Sequence, residues 1–470
     1  MSFKIAFIGA GSIGFTRGLL RDILAVKEFN NIEVAFTDIN EHNLEMVTQL
    51  CQRDIDENGL KIKIQATADR REAVKNARYV FNVVRIGGIE TYQYDIDIPL
   101  KYGVDQCVED TLCAGGIMYG QRGIVAILDF CKDIREVAEP GCLLLNYAKP
   151  NAMVTWACNK YGKVRTIGLC HGVQHGHEQI ANVFGLKKEE VDIICAGINH
   201  QTWYIQVRHN GEDLTGKLLE AFQTHPEYSV TEKVRIDMLK RFGYYSTESN
   251  GHLRVTTEGR NWFETAFPNW MKEPAFEYKE ELRSKEHGSY IVEGLETGRI
   301  YRGHFNVVNN GAISNLPDDA IVEVPGYVDA NGINVPRVGD LPLGCAAVCN
   351  ASISVQRMSV EAAVSGDDKL LRQAMMLDPL VGAVCNTNEI WQMTDEMLVA
   401  QKQWLPQYGK AIAEAEERLK SGSLIPVKEG YKGAARLHTK TVEEMAQDRE
   451  AAKRNAGAAD KAEDRPAEKK

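Results

Sequence analysis

Residues 4–14 read KIAFIGAGSIG, an apolar run that passes directly into a glycine-rich turn. Gly9, Gly11 and Gly14 have the spacing of a dinucleotide-binding turn, and an amphipathic stretch follows over residues 15–25. We expect Gly9 to permit a tight turn, Gly11 to let a pyrophosphate approach the backbone, and Gly14 to let helix and strand pack closely. The start of the helix then offers N–H groups and a partial positive charge to the phosphates.

A carboxylate follows at the distance that this type of turn requires. A second apolar run, over residues 32–36, ends in Thr37 and Asp38. Because Asp38 would accept a hydrogen bond from a ribose hydroxyl and repel a 2′-phosphate, the sequence predicts NAD rather than NADP as the cofactor. Asn82, near the end of a later apolar run, is a further candidate for cofactor binding.

Strand and helix patterns alternate through the first 200 residues. Apolar runs separated by helical patterns occupy residues 62–66, 79–84, 143–147, 165–169 and 191–197. This alternation predicts βαβ units and a Rossmann-like, doubly wound parallel sheet of the α/β class. Beyond residue 200 the rhythm changes, which predicts a C-terminal α+β domain.

The predicted organisation therefore has three parts. They are an NAD-binding domain over residues 1–200, a substrate and oligomerisation domain over residues 201–430, and a charged tail over residues 431–470. The tail is rich in charge and poor in aromatic residues, so we expect it to be disordered or a solvated helix.

Composition narrows the class of protein. The chain of 470 residues has a net charge of −10, which argues against a nucleic-acid or anionic-membrane partner. No run approaches the roughly 18 apolar residues that span a bilayer, and no leader precedes the first strand, so we expect a cytoplasmic protein. The 11 cysteines are scattered without a C-x-x-C pair, which favours reduced thiols.

Three polar segments follow strands of the predicted sheet: NYAKPN at residues 146–151, GLCHG at 168–172 and GINH at 197–200. Doubly wound folds bind ligands where their strands end. Cys170 and His200 would present a thiol and an imidazole there, which is typical of a catalytic metal site with open positions. A buried thiol and an ordinary histidine explain the same pattern, so the residues alone leave both interpretations open.

Taken together, the motifs resemble glycoside hydrolase family 4, with the greatest similarity to its α-galactosidase (melibiase) branch. The resemblance covers about residues 3–408 and rests on GAGS at 9–12, GG at 87–88, DT at 110–111, GGI at 115–117, CHGV at 170–173 and AGINH at 196–200. It implies a fold like that of lactate and malate dehydrogenases, and an exo-acting glycosidase that needs NAD and Mn²⁺.

The resemblance also implies a redox route to hydrolysis. In this family NAD⁺ takes a hydride from C3 of the sugar, and the metal polarises the resulting ketone. A base then removes the C2 proton, the glycosidic oxygen leaves, water adds, and NADH returns the hydride. An α-galactoside is the expected substrate, and the protein is expected to be a homodimer or homotetramer.

Three alternatives stay open. The substrate could be another α-glycoside, such as a galacturonide. The chain could instead be an NAD-dependent sugar dehydrogenase, which would consume NAD stoichiometrically. It could also be an inactive NAD-binding sensor.

Carried onto this sequence, the resemblance implies that Cys170 and His200 are the metal ligands. It implies that His171 donates a proton to the leaving oxygen, which an imidazole can do near neutral pH. The base is expected on a loop beyond His200, where Tyr244 and Tyr245 are the candidates and core packing is the alternative. Glu248 and His252 lie close by in the sequence.

One position departs from the family pattern. The family typically reads Asn-Pro-Met where this chain has Lys149, Pro150 and Asn151. The family's asparagine contacts substrate hydroxyls, so Lys149, Asn151 and Asn199 are candidates for substrate binding. Lys149 could hold an acidic group of the sugar, act as a catalytic proton shuttle at C3 with a pKa lowered by the metal, or impair the activity.

Overall fold

The structure is a computed structural model that describes residues 1–106, 108–247, 275–422, 424–430, 433, 441–447 and 450. A single sheet of 13 strands passes through these residues. The strands are β1 (Lys4–Ile8), β2 (Glu33–Thr37), β3 (Ile64–Ala66), β4 (Tyr79–Asn82), β5 (Leu143–Asn146), β6 (Thr166–Gly168), β7 (Asp192–Ile198), β8 (Gln201–His209), β9 (Glu212–Asp213), β10 (Tyr245–Ser246), β11 (Tyr301–Val308), β12 (Ile321–Asp329) and β13 (Gly332–Asn334).

Helices cover both faces of the first half of the sheet. In this half they are α1 (Ile13–Leu24), α2 (Glu41–Glu57), α3 (Arg70–Val74), α4 (Gly88–Leu100), α5 (Cys113–Val137), α6 (Asn151–Ala157) and α7 (Gly172–Val183). Strand β1 is buried throughout: Ile5 and Phe7 join the core against α1 and α2, whereas Ala6 and Ile8 join the core against α3 and α5. A strand buried on both faces is typical of a parallel sheet.

The first six strands lie in the order β3-β2-β1-β4-β5-β6 and are all parallel. This is the strand order of dinucleotide-binding sheets, so the predicted doubly wound fold is confirmed. The sheet does not end at β6, because β11, β12, β7, β8 and β10 continue it with antiparallel pairing.

The strand predicted at residues 191–197 differs from the expectation of a further parallel strand. It forms β7, which pairs with β8 in an antiparallel hairpin whose turn is Asn199 and His200. Parallel strands need a crossover of a dozen or more residues, so a two-residue connection can only reverse the chain. The predicted domain boundary at residue 200 falls in this turn, and β7 pairs with strands of the second half.

A stagger in the sheet brings two strand ends together. Asn306 of β11 lies beside both Gly168 at the end of β6 and Glu323 of β12, and Glu323 lies beside Gly197 near the end of β7. Strands β6 and β7 run in opposite directions, yet both of their carboxyl ends reach this one row. The row Gly168–Asn306–Glu323–Gly197 therefore underlies the candidate site.

The second half is largely helical outside the sheet. Its helices are α8 (Leu218–Thr224), α9 (Tyr228–Thr231), α10 (Lys233–Phe242), α11 (His287–Thr297), α12 (Leu343–Ser365), α13 (Asp368–Leu377), α14 (Pro379–Val384), α15 (Thr387–Ala400) and α16 (Gly409–Ser421). Helix α12 packs against α5 and α13, so the largest apolar core includes residues from both halves. Among the described residues, no helix combines the length and apolar character needed to cross a membrane.

Candidate active site

The glycine-rich turn has the backbone geometry that its sequence predicts. Gly9 has φ +87°, and a Cβ there would come within 2.8 Å of the Val84 side chain. The backbone N–H of Gly11 donates to Oδ2 of Asp38 at 2.9 Å. Helix α1 then begins with Ser12 as its N-cap, and the Ser12 side chain makes no capping hydrogen bond. The start of α1 therefore retains backbone donors for an anion.

Two cofactor candidates have other surroundings than predicted. A Cβ at Gly14 would meet no atom within 4 Å, so Gly14 does not serve close helix–strand packing; it is exposed on the first turn of α1. The Asn82 side chain is fully buried and donates to Oδ1 of Asn146 at 2.8 Å. Asn82 thus joins the ends of β4 and β5 instead of lining the neighbouring cavity.

Four polar side chains meet beyond the strand ends. Nζ of Lys149 lies 3.4 Å from Sγ of Cys170, 3.2 Å from Oδ1 of Asn199 and 3.0 Å from Nε2 of His200. Sγ of Cys170 lies 3.4 Å from Nε2 of His200. The structure therefore brings together four of the residues that the sequence predicted for the site.

A chain of hydrogen bonds orients His200. The Thr111 hydroxyl donates to Oδ1 of Asp110 at 2.8 Å and lies 2.7 Å from Nδ1 of His200. Because this hydroxyl proton is given to Asp110, the Thr111 oxygen accepts from Nδ1–H of His200. Burial and the charge of Lys149 would lower the pKa of His200, but Asp110 and Cys170 raise it to about 10. Nε2 lies on the side of Cys170 and Lys149.

The charges in the cluster support one another. Burial alone would raise the pKa of the Cys170 thiol, but the charges of Lys149 and His200 hold it well below its usual range. Burial alone would lower the pKa of Lys149, but the negative groups Cys170 and Asp110 raise it. In the absence of a metal ion, the cluster therefore favours a thiolate beside an ammonium.

A buried carboxylate lies beneath the cluster. Oε2 of Glu323 accepts from Nδ2 of Asn199 at 3.1 Å, and burial raises the pKa of Glu323 to about 7. Its Oε1 and both side-chain polar atoms of neighbouring Asn306 have no hydrogen-bond partner within the described residues. Sequence reasoning missed Glu323. The signal available was a carboxylate inside the apolar run AIVEV at residues 320–324.

His171 lies at the rim of the cluster, at the start of α7. Its Nδ1 is 3.3 Å from Oε1 of Glu286, and this contact raises the pKa of His171 although burial opposes the shift. The ring lines a cavity of about 330 Å³ that also contacts Ser12, Lys149 and Cys170. The glycine-rich turn and the polar cluster therefore share one cavity.

A second cavity, of about 380 Å³, lies on the other side of the cluster. Asn199 and His200 line it together with residues of the second half such as Ser352 and Asp378. Asp110 lines both cavities, so the cluster separates a compartment beside the glycine-rich turn from one beside the C-terminal helices.

Three other candidates lie away from both cavities. Asn151 is buried, and its Nδ2 donates to the carbonyl oxygens of Asn146 and Leu169, which ties β5 to β6. Tyr245 is fully buried, stacks on Phe222 at 4.2 Å between ring centroids and donates to Oε1 of Gln179. Burial raises the pKa of Tyr245, so this residue packs in the core.

Tyr244 is half-buried against the largest apolar core, and it does not line either cavity. The remaining residues considered near the predicted base, Glu248 and His252, lie outside the described residues. The described residues therefore bring neither tyrosine to the cluster.

The donor atoms of Cys170 and His200 have a spacing that suits a shared metal ion. Two ligands at about 2.1 and 2.3 Å from one ion would place their donor atoms about 3.1–3.6 Å apart, and Sγ of Cys170 and Nε2 of His200 are 3.4 Å apart. Within the described residues, no group of three or more His, Cys, Asp or Glu side chains could hold a metal. The pair fits an ion whose other positions are filled by substrate or water, provided that Lys149 moves.

The fold and the cluster define an α/β protein in which a dinucleotide-type turn and Cys170 line one cavity and His200, in contact with Cys170, lines the neighbouring one. The model of "Family 4 glycosyl hydrolase" matches residues 4–186, and that of "Family 4 glycosyl hydrolase C-terminal domain" matches residues 195–381. An alpha-galactosidase of Rhizobium meliloti (strain 1021) is 54% identical, with 96% of this chain and 99% of the relative covered. The chain belongs to glycosyl hydrolase family 4 and is a glycoside hydrolase.

Solved structures agree with this assignment. A 6-phospho-alpha-glucosidase from gut microorganisms, solved with NAD and glucose-6-phosphate, has a TM-score of 0.74 and 26% identity, with 86% of this chain and 99% of that chain covered. A lactate dehydrogenase from a deep-sea metagenome library has a TM-score of 0.50 and 14% identity, with 77% and 99% covered. The second similarity concerns the fold alone and confirms the predicted likeness to lactate dehydrogenases.

Proposed function

We propose that this protein hydrolyses α-galactosides with the help of bound NAD and a divalent cation such as Mn²⁺. The observation that carries the choice of sugar is the 54% identity to the Rhizobium alpha-galactosidase over 96% of the chain. When bound, NAD would reversibly accept a hydride from the sugar, and the cation would polarise the carbonyl group formed there.

The residues that would hold NAD surround the glycine-rich turn. The absence of a side chain at Gly9 and Gly11 lets the turn lie close to Val84 and Asp38, and the start of α1 would donate N–H groups to the pyrophosphate. Asp38 would accept from a ribose hydroxyl and exclude a 2′-phosphate. Asn82 would act only through its hydrogen bond to Asn146, which would hold the ends of β4 and β5 together beside the cofactor.

The residues around the cluster would bind the sugar and move one proton. Asn199, held from below by Glu323, would orient sugar hydroxyls with its amide. His171 would donate a proton to the glycosidic oxygen as that oxygen leaves, since the nearby Glu286 carboxylate favours its protonated form. Cys170 and His200 would hold the cation.

A chromogenic α-galactoside tests this function. Hydrolysis should require NAD⁺ and a divalent cation, stop in EDTA, and fall by at least 100-fold in Cys170→Ser and His200→Ala. NADH should not accumulate, and product formed in D₂O should carry deuterium at C2. NADH rising in step with product would show a dehydrogenase, and full turnover in EDTA would exclude the cation.

An acidic sugar is the second candidate, because the ammonium of Lys149 lines the cavity. The comparison of α-galactosides with α-galacturonides in wild type and Lys149→Asn separates the two. If Lys149 binds a carboxylate, the variant should lose galacturonide turnover by tenfold or more while galactoside turnover holds. Equal losses on both substrates would exclude this role.

A further inference from the structure

The ammonium group of Lys149 lies where a metal ion bound by Cys170 and His200 would lie. Its Nζ is 3.0 Å from Nε2 of His200 and 3.4 Å from Sγ of Cys170, so it contacts both donor atoms at once. It also contacts Oδ1 of Asn199 at 3.2 Å. The two donor atoms and Nζ form a compact triangle with sides of 3.0 to 3.4 Å.

The ring nitrogen of His200 that faces Nζ is Nε2. Nδ1 contacts the Thr111 hydroxyl, so Nε2 is the nitrogen that an ion would bind. An ion about 2.1 Å from Nε2 and about 2.3 Å from Sγ of Cys170, on the same side of these two atoms as Nζ, would lie only about 1.3 Å from the present position of Nζ. Lys149 in this position and an ion on this side therefore exclude each other.

The surroundings of Nζ also favour a positive charge. Lys149 is half-buried, and the partly enclosed carboxylate of Asp110 lies 3.6 Å from Nδ1 of His200 in the same cluster. A carboxylate at this position favours a nearby cation, whether that cation is the lysine ammonium or a divalent ion.

The side chain has somewhere to go. Lys149 lines the cavity of about 330 Å³ together with Asp110 and with Glu109, whose carboxylate pairs with Arg85. The four-carbon side chain of Lys149 can rotate its ammonium into this cavity and leave Cys170 and His200 accessible to an incoming ion.

We propose that Lys149 is a tethered cation that fills the metal position in the metal-free protein and swings away when a divalent ion binds. The ion therefore competes with a covalently attached charge, which weakens its affinity. The proposal rests on the proposed function in one respect, namely that Cys170 and His200 are the metal ligands.

Mn²⁺ binding to the full chain without substrate tests the competition. Electron paramagnetic resonance follows free Mn²⁺ during titration of EDTA-treated wild type and Lys149→Met, which keeps the side-chain length and removes the charge. We expect the variant to bind Mn²⁺ at least tenfold more tightly. Lys160→Met is the matched control, because Lys160 is an exposed lysine paired with Glu361, and its affinity should equal that of wild type.

Other outcomes separate the competition from the metal site itself. Equal affinities in wild type and Lys149→Met, both lost in Cys170→Ser, would overturn the competition and leave the metal ligands in place. No binding by any variant would overturn both. Circular dichroism checks folding, and Lys149→Gln replaces the methionine variant if that one does not fold.

Alkylation of Cys170 gives a second readout in the wild-type protein. Iodoacetamide should modify Cys170 in the metal-free protein. Mn²⁺ should protect Cys170 from modification only at concentrations at which electron paramagnetic resonance shows the ion bound to the protein. In Lys149→Met, protection should appear at tenfold lower Mn²⁺. Protection at the same concentration in both proteins would contradict the proposal.

Discussion

Asp38 combines a structural contact with the proposed choice of cofactor. Its Oδ2 accepts from Gly11 N–H and its Oδ1 from Asn40 N–H, both at 2.9 Å, so the carboxylate is fixed beside the turn. Asp38→Asn keeps an acceptor for Gly11 but removes the charge that would repel a 2′-phosphate. We expect the ratio of NADPH to NADH affinity to rise at least tenfold, measured by fluorescence titration.

Asp69→Asn is the matched control for this prediction. Asp69 is an exposed carboxylate that caps α3 and lies outside the cavity lining, so the affinity ratio should not change. If Asp38→Asn leaves the ratio at its wild-type value as well, the carboxylate does not select the cofactor.

Single site residues were predictable where a short sequence pattern indicates the role of the residue. Asp38 follows from its place after the second strand. Cys170 and His200 belong to polar segments at strand ends, but their expected role as metal ligands came from the family resemblance. The family resemblance placed Lys149 beside the metal of Cys170 and His200, but its direct contact with both side chains depends on a hairpin turn reaching a parallel strand, which no local pattern shows. Glu323 was out of reach for the same reason: it reaches the cluster only through the staggered pairing of β12 with β7.

At the scale of elements, one carboxylate joins three helices of the second half. Asp395 on α15 accepts from Arg372 on α13 at 2.6 Å and from Arg418 on α16 at 2.8 Å, and both Asp395 and Arg372 are buried. Asp395→Asn removes the buried carboxylate that pairs with Arg372 and leaves it only the ion pair with the more exposed Asp368 among the described residues. We expect the free energy of unfolding at pH 7 to fall by about 2–4 kcal/mol, measured by urea denaturation.

The pH dependence of this effect has a definite sign. The two arginines hold the pKa of Asp395 below its usual value although burial opposes the shift. A lowered pKa stabilises the fold above about pH 4 and loses this contribution as pH falls through the folded-state pKa. The difference between wild type and Asp395→Asn should therefore shrink toward pH 3. Glu414→Gln removes an exposed ion pair with Arg418 on α16. This control should change the free energy of unfolding by less than about 0.5 kcal/mol over the same pH range.

Elements with clear apolar patterns were predicted well, and those with buried polar groups were not. Strands β1, β2, β4 and β5 coincide with apolar runs. Helix α4 was not predicted, because it buries Asp95 against Arg122 in a fully enclosed ion pair and so lacks a simple apolar stripe. The direction of β7 was wrong because an apolar run predicts a strand but not its partner.

For the whole molecule, the continuous sheet predicts that the two halves of the chain unfold cooperatively. Strands β11 and β12 connect the parallel half to β7 and β8, and the largest core draws on both halves. We expect calorimetry to show one unfolding transition, with NAD⁺ at about 100 times its dissociation constant stabilising the chain by about 2.7 kcal/mol. Two transitions, of which NAD⁺ shifts only one, would show independent domains.

The homodimer or homotetramer stays a prediction, which light scattering can check.

The sheet also bears on how the protein avoids unwanted association. Within the described residues, its main path ends in β3, with three residues, and β10, with two. An exposed edge of a sheet is a template on which strands of other chains can add, and short edge strands offer few backbone groups for such growth. We therefore infer that the native fold resists edge-to-edge aggregation, although the described residues form a single sheet of 13 strands.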